Sequence, residues 1–251
     1  DHMFYDGLRD VKHGQLMGSF AEMGAERFDL SREQQDDFAI NSVKRANQAI
    51  QSGAFIDEIT PVIVKSRKGE TSFAEDEQPA KSDLDKVRSL RPAFKKDGSV
   101  TAANASSISD GAAALILMDA EQAAQQGLQP LAKITAQTVF ADDPDWFSVA
   151  PVHAINLLLK KCDWQISDVD LFEINEAFAV VTMIAIKELK LDPNKVNVNG
   201  GACALGHPIG ASGARILVTL IHALRARKLS KGVATLCIGG GEATAMAIEL
   251  I

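Results

Sequence analysis

The sequence predicts a layered α/β protein, and three observations carry the prediction. From Ala132 onward, short apolar runs alternate with longer stretches of helical period. Most of those runs end at glycine- or asparagine-containing loops, as the strands of an α/β sheet do. Hydrophobic residues make up 46% of the 251-residue chain and charged residues 24%, a balance that allows a sizeable buried core.

The elements follow in order. Residues 1–30 read as loop with short helices. Ser31 and Gln34 form a capping-box pattern before a helix over Arg32–Gln51, which Gly53 ends. Ile59–Val64 alternates like a strand and is interrupted by Pro61; residues 65–100 are charged and irregular, a surface excursion. The texture changes at Val100, where a run of small residues begins that lets backbones approach closely. Ala114–Met118 reads as a buried strand and Ala120–Gln126 as a helix stopped by Gly127. Then come a strand at Ile134–Phe140, a helix at Ala154–Lys161 opened by Pro151, a strand at Val169–Ile174 and a helix at Ala177–Leu189. A brief strand at Val196–Val198, a helix at Gly213–Arg227 and strands at Val233–Ile238 and Thr244–Leu250 complete the pattern.

Charge and cysteine usage exclude several functions. A formal net charge of -7 does not suit general binding to nucleic acid, which needs a basic surface. Cys162, Cys203 and Cys237 make no disulfide framework and no zinc-ligand spacing. No apolar run is long enough to span a membrane. Asp1–Gly7 lacks the basic start and apolar core of a signal peptide and does not read as the beginning of a domain.

Three loops carry chemistry-bearing residues. In Asn175-Glu176-Ala177-Phe178, at a strand-to-helix junction, Asn175 is either a helix N-cap, the stronger reading from residues alone, or a donor to an oxyanion. The glycine-rich run Gly200–Gly213 holds His207 between Gly206 and Pro208. A histidine fixed there suits acid/base work or oxyanion stabilisation; a phosphate loop or a structural turn are the other readings. In Cys237-Ile238-Gly239-Gly240-Gly241, the cysteine closes a buried strand. It is either a small core residue or a thiol beside a turn whose amides can face an oxyanion. Cys203 reads as packing and Cys162 as incidental. His2, His13, His153 and His222 have no comparable setting.

The three loops, in this order, resemble the thiolase signature. Ser31–Asp36, Leu90–Phe94 and the Asn104–Ala113 run look similar to biosynthetic-type acetoacetyl-CoA thiolases, so the resemblance covers essentially the whole chain. It implies the thiolase fold, layered α-β-α-β-α. Residues 1–105 would be the CoA-binding loop domain, 106–130 the end of the N-terminal half and 131–251 the C-terminal half.

The resemblance also implies site roles. His207 would activate a nucleophilic cysteine and help form an oxyanion hole. Asn175 would hold the water that completes that hole. Cys237 would move the α-proton, and the Gly239 amide would serve a second oxyanion hole. Ser106 would bind pantetheine, and Leu8, Met17, Phe94, Ala102, Ala105, Phe147, Ala177 and Phe178 would line the pocket. Leu16 and Phe147 depart from the frequent His and Met, which bears on acyl-chain preference. The implied reaction is the Claisen condensation of acetyl-CoA to acetoacetyl-CoA, or thiolysis of a 3-ketoacyl-CoA. Acetyl-CoA, acetoacetyl-CoA and CoA would be substrates and products, with no metal and no separate cofactor. A homodimer or homotetramer in the cytoplasm is expected.

None of the three cysteines matches the family's nucleophile, which lies upstream of the loop domain. The chain alone is therefore expected to lack acyl transfer and to expose apolar surface. A non-catalytic CoA-binding or interaction module is the alternative. A ketoacyl-carrier-protein synthase ranks lower, because Asn175 stands where those enzymes carry a histidine.

Overall fold

Side chains satisfy the first free amides of two of the α-helices. In the computed structural model, which describes residues 1–251, a π-helical turn at Met3–Leu8 precedes helices α1 (Met17–Arg27) and α2 (Arg32–Gln51). The Ser31 hydroxyl accepts from Gln34 N–H at 3.2 Å, and the Gln34 side chain accepts from Ser31 N–H at 2.8 Å. This reciprocal pair is the expected capping box.

The next segment corrects the sequence reading. The strand expected at Ile59–Val64 is β1, Val62–Ser66, which starts beyond Pro61 because proline has no N–H for the ladder. Its partner β2 (Gly69–Phe73) lies inside the stretch expected to be irregular, and the antiparallel hairpin is exposed throughout. A short α3 follows at Glu77–Lys81.

The buried strand expected at Ala114–Met118 is not formed. Those residues have no regular structure, and Ile116 and Leu117 are 89% and 70% exposed. The run has strand-like composition but no neighbouring strand in these 251 residues, and an unpaired strand has no ladder to hold it. Helix α4 (Ala120–Gln125) is capped by Asp119, whose carboxylate accepts from the Glu121 and Gln122 amides. Gly127, at φ +67°, turns the chain out of it.

The rest builds one sheet. In chain order the elements are β3 (Ala132–Ala141), α5 (Ala150–Cys162), β4 (Leu171–Ile174), α6 (Ala179–Leu189), α7 (Ala202–Leu205), α8 (Ser212–Arg227), β5 (Lys231–Cys237) and β6 (Glu242–Leu250). The strand order is β3-β6-β5-β4; β5 runs parallel to β4 and antiparallel to β6, and β6 is antiparallel to β3. The strand expected at Val196–Val198 reduces to one parallel bridge between Phe172 and Val196.

Period-two alternation divides the core between the two faces of the sheet. Phe172, Ile174, Val233, Cys237, Ala243, Ala245 and Ala247 join the larger cluster with α1, α5 and α6. Leu171, Ala234 and Ile248 join Ile216, Leu220 and Leu224 of α8 on the other face. Helices thus cover both faces, while α1 and α2 pack outside α6. Leu158 on α5 and Leu220 on α8 are both fully buried. Truncating either to alanine costs about 2–5 kcal/mol.

The exposed apolar run has a measurable consequence. Substituting Asp for Ile116 and Leu117 is expected to lower binding of a hydrophobic dye and self-association. The unfolding free energy from urea titration should hold within about 0.5 kcal/mol, because no native contact is lost. A loss of several kcal/mol in urea unfolding would mean that the run is packed.

Candidate active site

The site lies where β4 and β5 end together. Their parallel register pairs Ile174 with Thr235, and the Asn175 amide donates to Thr235 O at 3.0 Å. Asn175 therefore leaves the sheet beside the C-terminal end of β5, which Cys237 closes, with neighbouring strands about 4.8 Å apart. Ligands of open α/β sheets bind at such carboxyl ends. Asn175 is not the helix N-cap that the residues alone favoured. Helix α6 starts at Ala179 with Phe178 in the cap position, three residues later. The Asn175 amide is free for another partner, and that partner is His207: Nδ2 lies 3.3 Å from His207 Nε2.

A hydrogen-bond chain sets the histidine's tautomer. His207 Nδ1 is 2.5 Å from Ser212 Oγ, and the Ser212 hydroxyl donates to Pro208 O at 3.0 Å. With its proton committed, the serine oxygen accepts from Nδ1–H. Nε2 is then the unprotonated nitrogen and accepts from Asn175. Burial, with the Arg215 guanidinium as a second cause, lowers the His207 pKa to about 4. The imidazole is neutral at pH 7 and available as a base or hydrogen-bond partner. The backbone of His207 is fixed by donation of its amide to Ser107 O at 3.1 Å. Gly206, at φ +87°, is needed because a Cβ there would run into Ser109.

Cys237 is buried, and desolvation pushes its pKa up to about 12, so it rests as a thiol. The hairpin that follows is closed by Ile238 N–H donating to Glu242 O at 2.8 Å and by Gly241 N–H donating to Ile238 O at 3.0 Å. The amides of Gly239 and Gly240 donate to no protein acceptor and are exposed. Gly239 also lies against Met17, whose Sδ is 3.4 Å from where a Cβ would stand.

The small-residue run connects these loops. Ser106 donates from both its amide and its hydroxyl to Ala177 O, at 3.0 and 2.9 Å. Ala105 bridges Phe178, and Ala179 N–H donates to Asn104 O at 2.8 Å. Beside this run Phe178 meets Phe94 and Phe147 edge-on, at 6.0 and 6.1 Å between ring centroids. The Phe94 ring fills the space that a side chain at Gly18 would need. Met17, Phe94, Ala105, Ser106, Phe147, Ala177 and Phe178 are thereby drawn around the strand ends. Leu8 is half-buried at the end of the N-terminal π-helical turn, and Ala102 is exposed; neither is tied to this cluster by a hydrogen bond or ring contact.

The remaining cysteines and histidines sit apart from the chemistry, with one exception. Cys203 packs against the Asn104 and Glu176 carbonyls, at 3.7 and 3.9 Å, in the first turn of the histidine loop, and burial raises its pKa well above the usual thiol value. Cys162 ends α5. His153 stacks on Phe140 and His13 pairs with Asp145. His222 lines a polar cavity of about 930 Å³ near the C-terminal ends of α2 and α8. Sequence reasoning assigned no role to Ser212 or Arg215. Ser212 sits five residues beyond His207 in the same glycine-rich run, which was the available signal.

A neutral histidine, a buried thiol and free turn amides thus meet at the carboxyl edge of an α/β sheet, a set of groups with the chemistry an acid/base site requires. Comparison with known proteins gives the family. The model of the thiolase N-terminal domain matches residues 1–121, and that of the C-terminal domain matches residues 128–250. The chain is similar to the acetyl-CoA acetyltransferase of Rhizobium meliloti (strain 1021), with 48% identity over 250 residues, 99% of this chain and 64% of that protein. Among solved structures, the Bacillus anthracis acetyl-CoA acetyltransferase superposes with a TM-score of 0.95 at 49% identity, covering 97% of this chain and 62% of that one. Human mitochondrial 3-ketoacyl-CoA thiolase gives 0.93 at 38%, covering 100% and 64%. The chain belongs to the thiolase family and has its fold. It spans about 64% of the length of the curated relatives it matches.

The His207 environment predicts a pH dependence. Its folded pKa of about 4 lies below the ordinary histidine value of about 6.5. The stability it contributes is therefore complete above pH 6.5 and is lost as the pH falls through 4, because the unfolded chain protonates first. Urea unfolding at pH 7 and pH 4.5 should show a smaller drop for His207→Gln than for the parent. An equal drop in both would contradict the burial of a neutral imidazole.

Proposed function

We propose that this chain supplies the proton-transfer side of a thiolase active site acting on coenzyme A thioesters. The carrying observation is the convergence of Asn175, His207 and Cys237 at the paired ends of β4 and β5. The reaction is reversible: Claisen condensation of acetyl-CoA to acetoacetyl-CoA in one direction, thiolysis of a 3-ketoacyl-CoA in the other. In thiolysis a thiolate that these 251 residues do not supply adds to the keto carbon; the bond between Cα and that carbon then breaks, its electron pair moves onto Cα as a thioester enolate, and the acyl group stays on the attacking sulfur as a thioester. The protonated Cys237 thiol, the form that burial favours, delivers the proton to that carbon. In condensation the same sulfur, as thiolate, removes it. His207 Nε2, unprotonated at rest, takes the proton of the attacking thiol and then donates toward the thioester oxygen where the enolate charge develops, while Asn175 holds a water that donates to the same oxygen. Asn175 Oδ1 is buried without a protein partner, which supports its accepting from a water that in turn donates to the enolate oxygen. The exposed Gly239 amide supplies the second oxyanion position.

The Phe94, Phe147 and Phe178 cluster, with Met17, Ala105 and Ser106, receives the pantetheine and acyl portion. A solved relative from Ascaris suum, 42% identical with a TM-score of 0.91, is a thiolase in complex with coenzyme A, which supports this ligand class. Phe147 and Leu16 bias acyl-chain preference rather than reaction type.

None of the three cysteines takes the acyl group in this proposal. Cys237 has the proton role. Cys203 is desolvated beneath Glu176, and Cys162 stands at the end of α5. The purified 251-residue chain is expected to bind CoA in calorimetry. Ser106→Ala should weaken that binding roughly threefold to tenfold, the effect of one hydrogen bond. Thiolysis of acetoacetyl-CoA, followed by enolate absorbance, should be absent. Turnover comparable with a complete acetyl-CoA acetyltransferase would overturn the cysteine assignments; failure to bind CoA would overturn the ligand class.

A further inference from the structure

Glu176 follows Asn175 directly and is 1% exposed, with apolar Ala177 and Phe178 after it. A carboxylate in such a place must be paired or hydrogen-bonded, or burial drives it to its neutral form. Here three donors from three separate parts of the chain converge on it. The Ser42 hydroxyl of α2 donates to Oε2 at 2.7 Å. The Cys203 amide, in the first turn of the histidine loop, donates to Oε2 at 3.0 Å. The Asn197 side-chain amide donates to Oε1 at 2.8 Å. Gly201 N–H closes the ring by donating to Ser42 Oγ at 2.9 Å. A Cβ on Gly201 would collide with the Glu176 carboxyl, so glycine is required there.

Asn197 does more than hold the carboxylate. Its Oδ1 accepts from Ile174 N–H and its Nδ2 donates to Ile174 O, both at 2.8 Å, as a neighbouring strand would. It does so from a left-handed backbone at φ +46°, a conformation asparagine tolerates. One side chain therefore fixes the residue before Asn175 through its backbone and the residue after it through its carboxylate. Asn175 itself reaches His207, whose loop begins at the segment Glu176 holds. Two routes then connect the pair: the direct contact at 3.3 Å, and the clasp through Glu176 and Cys203.

Taking the acid/base site above as the frame, we propose that Glu176, clasped by Ser42, Asn197 and the Cys203 amide, is the positioning residue that holds Asn175 and the His207 loop in register. It touches no reacting atom. Burial raises its pKa above the ordinary carboxylate value, and the hydrogen bonds from Asn197, Ser42 and the Cys203 amide oppose that rise, since all three donate and an ionised carboxylate only accepts. Glutamine is nearly isosteric but brings two N–H groups. The Ser42 hydroxyl can turn to accept one of them; the Cys203 and Asn197 N–H groups cannot. Glu176→Gln therefore breaks at least one arm of the clasp without creating a cavity.

The test uses the 251-residue chain and needs no turnover, so it stands apart from whether the chain acts on CoA thioesters. The charged group identified near the His207 ring is Arg215, and Glu176→Gln leaves it in place. Two quantities are read by NMR: the titration midpoint of the His207 imidazole and the exchange rate of the Cys203 amide. In Glu176→Gln the midpoint is expected to rise from about 4 toward the ordinary value of about 6.5, as the loosened loop admits water. The Cys203 amide should exchange about tenfold faster or more, with loss of a charge-assisted bond. Ser42→Ala removes one arm and should move both readings the same way by less. A folded Glu176→Gln with only a lowered melting temperature, and with His207 titration and Cys203 exchange unchanged, would overturn the proposal. Should Glu176→Gln fail to fold, unchanged readings in Ser42→Ala would overturn it equally.

Discussion

The parallel pairing of β4 with β5 is the constraint on which the site depends. A parallel pair delivers two chain exits at the same edge of the sheet, and a crossover is needed to bring the second strand back. Here the crossover carries α6, the glycine-rich loop and α8. The loop with His207 thus lies between the two exits in sequence and beside Asn175 in space. The helices on the two faces hold the pair by burying alternate residues, Phe172 and Ile174 toward α6 and Leu171 toward α8. The chemistry sits at the edge because the hydrophobic faces are already in use.

The electrostatics of the edge are arranged at one remove. The groups assigned to chemistry are neutral at pH 7: an imidazole, a thiol, an amide side chain and backbone amides. Formal charge lies behind them. Glu173, on β4, faces Arg215 at 3.8 Å, and burial raises its pKa to about 8. Arg215 also disfavours protonation of His207. With Glu173 thereby protonated at pH 7, the charge behind the site is that of Arg215, and the neutral dipoles at the edge can respond to a charge that appears during a reaction without first neutralising one of their own.

Much of this was legible in the residues. The helix at Arg32–Gln51 and the elements from Ala132 onward, except the strand at Val196–Val198, were readable, because capping pairs and apolar periodicity are local signals; Ser31 with Gln34 is the clearest case. The three loops could be found because glycine clusters and a histidine before proline are rare in ordinary connections. What stayed hidden depended on distant partners. Ala114–Met118 has the composition of a strand but no strand beside it. Asn175 looked like a helix cap because its helix starts three residues later than a polar residue in that place suggests. Glu176 stood in full view as a charge just before apolar Ala177 and Phe178. Its meaning lies in Ser42, 134 positions earlier in the chain, and no local pattern could reveal that.

The strand order carries a consequence for how the molecule is made. Strand β6, residues Glu242–Leu250, lies inside the sheet between β3 and β5, yet leaves the ribosome after both. Until it emerges, β3 has no ladder to join, although it was synthesised about a hundred residues earlier. The sheet cannot be completed progressively as the chain lengthens. During synthesis β3 and the apolar run before it wait without partners, the condition under which nascent chains most need protection from one another. The same order makes this nine-residue strand the seam of the sheet: without it β3 and β5 have no ladder between them.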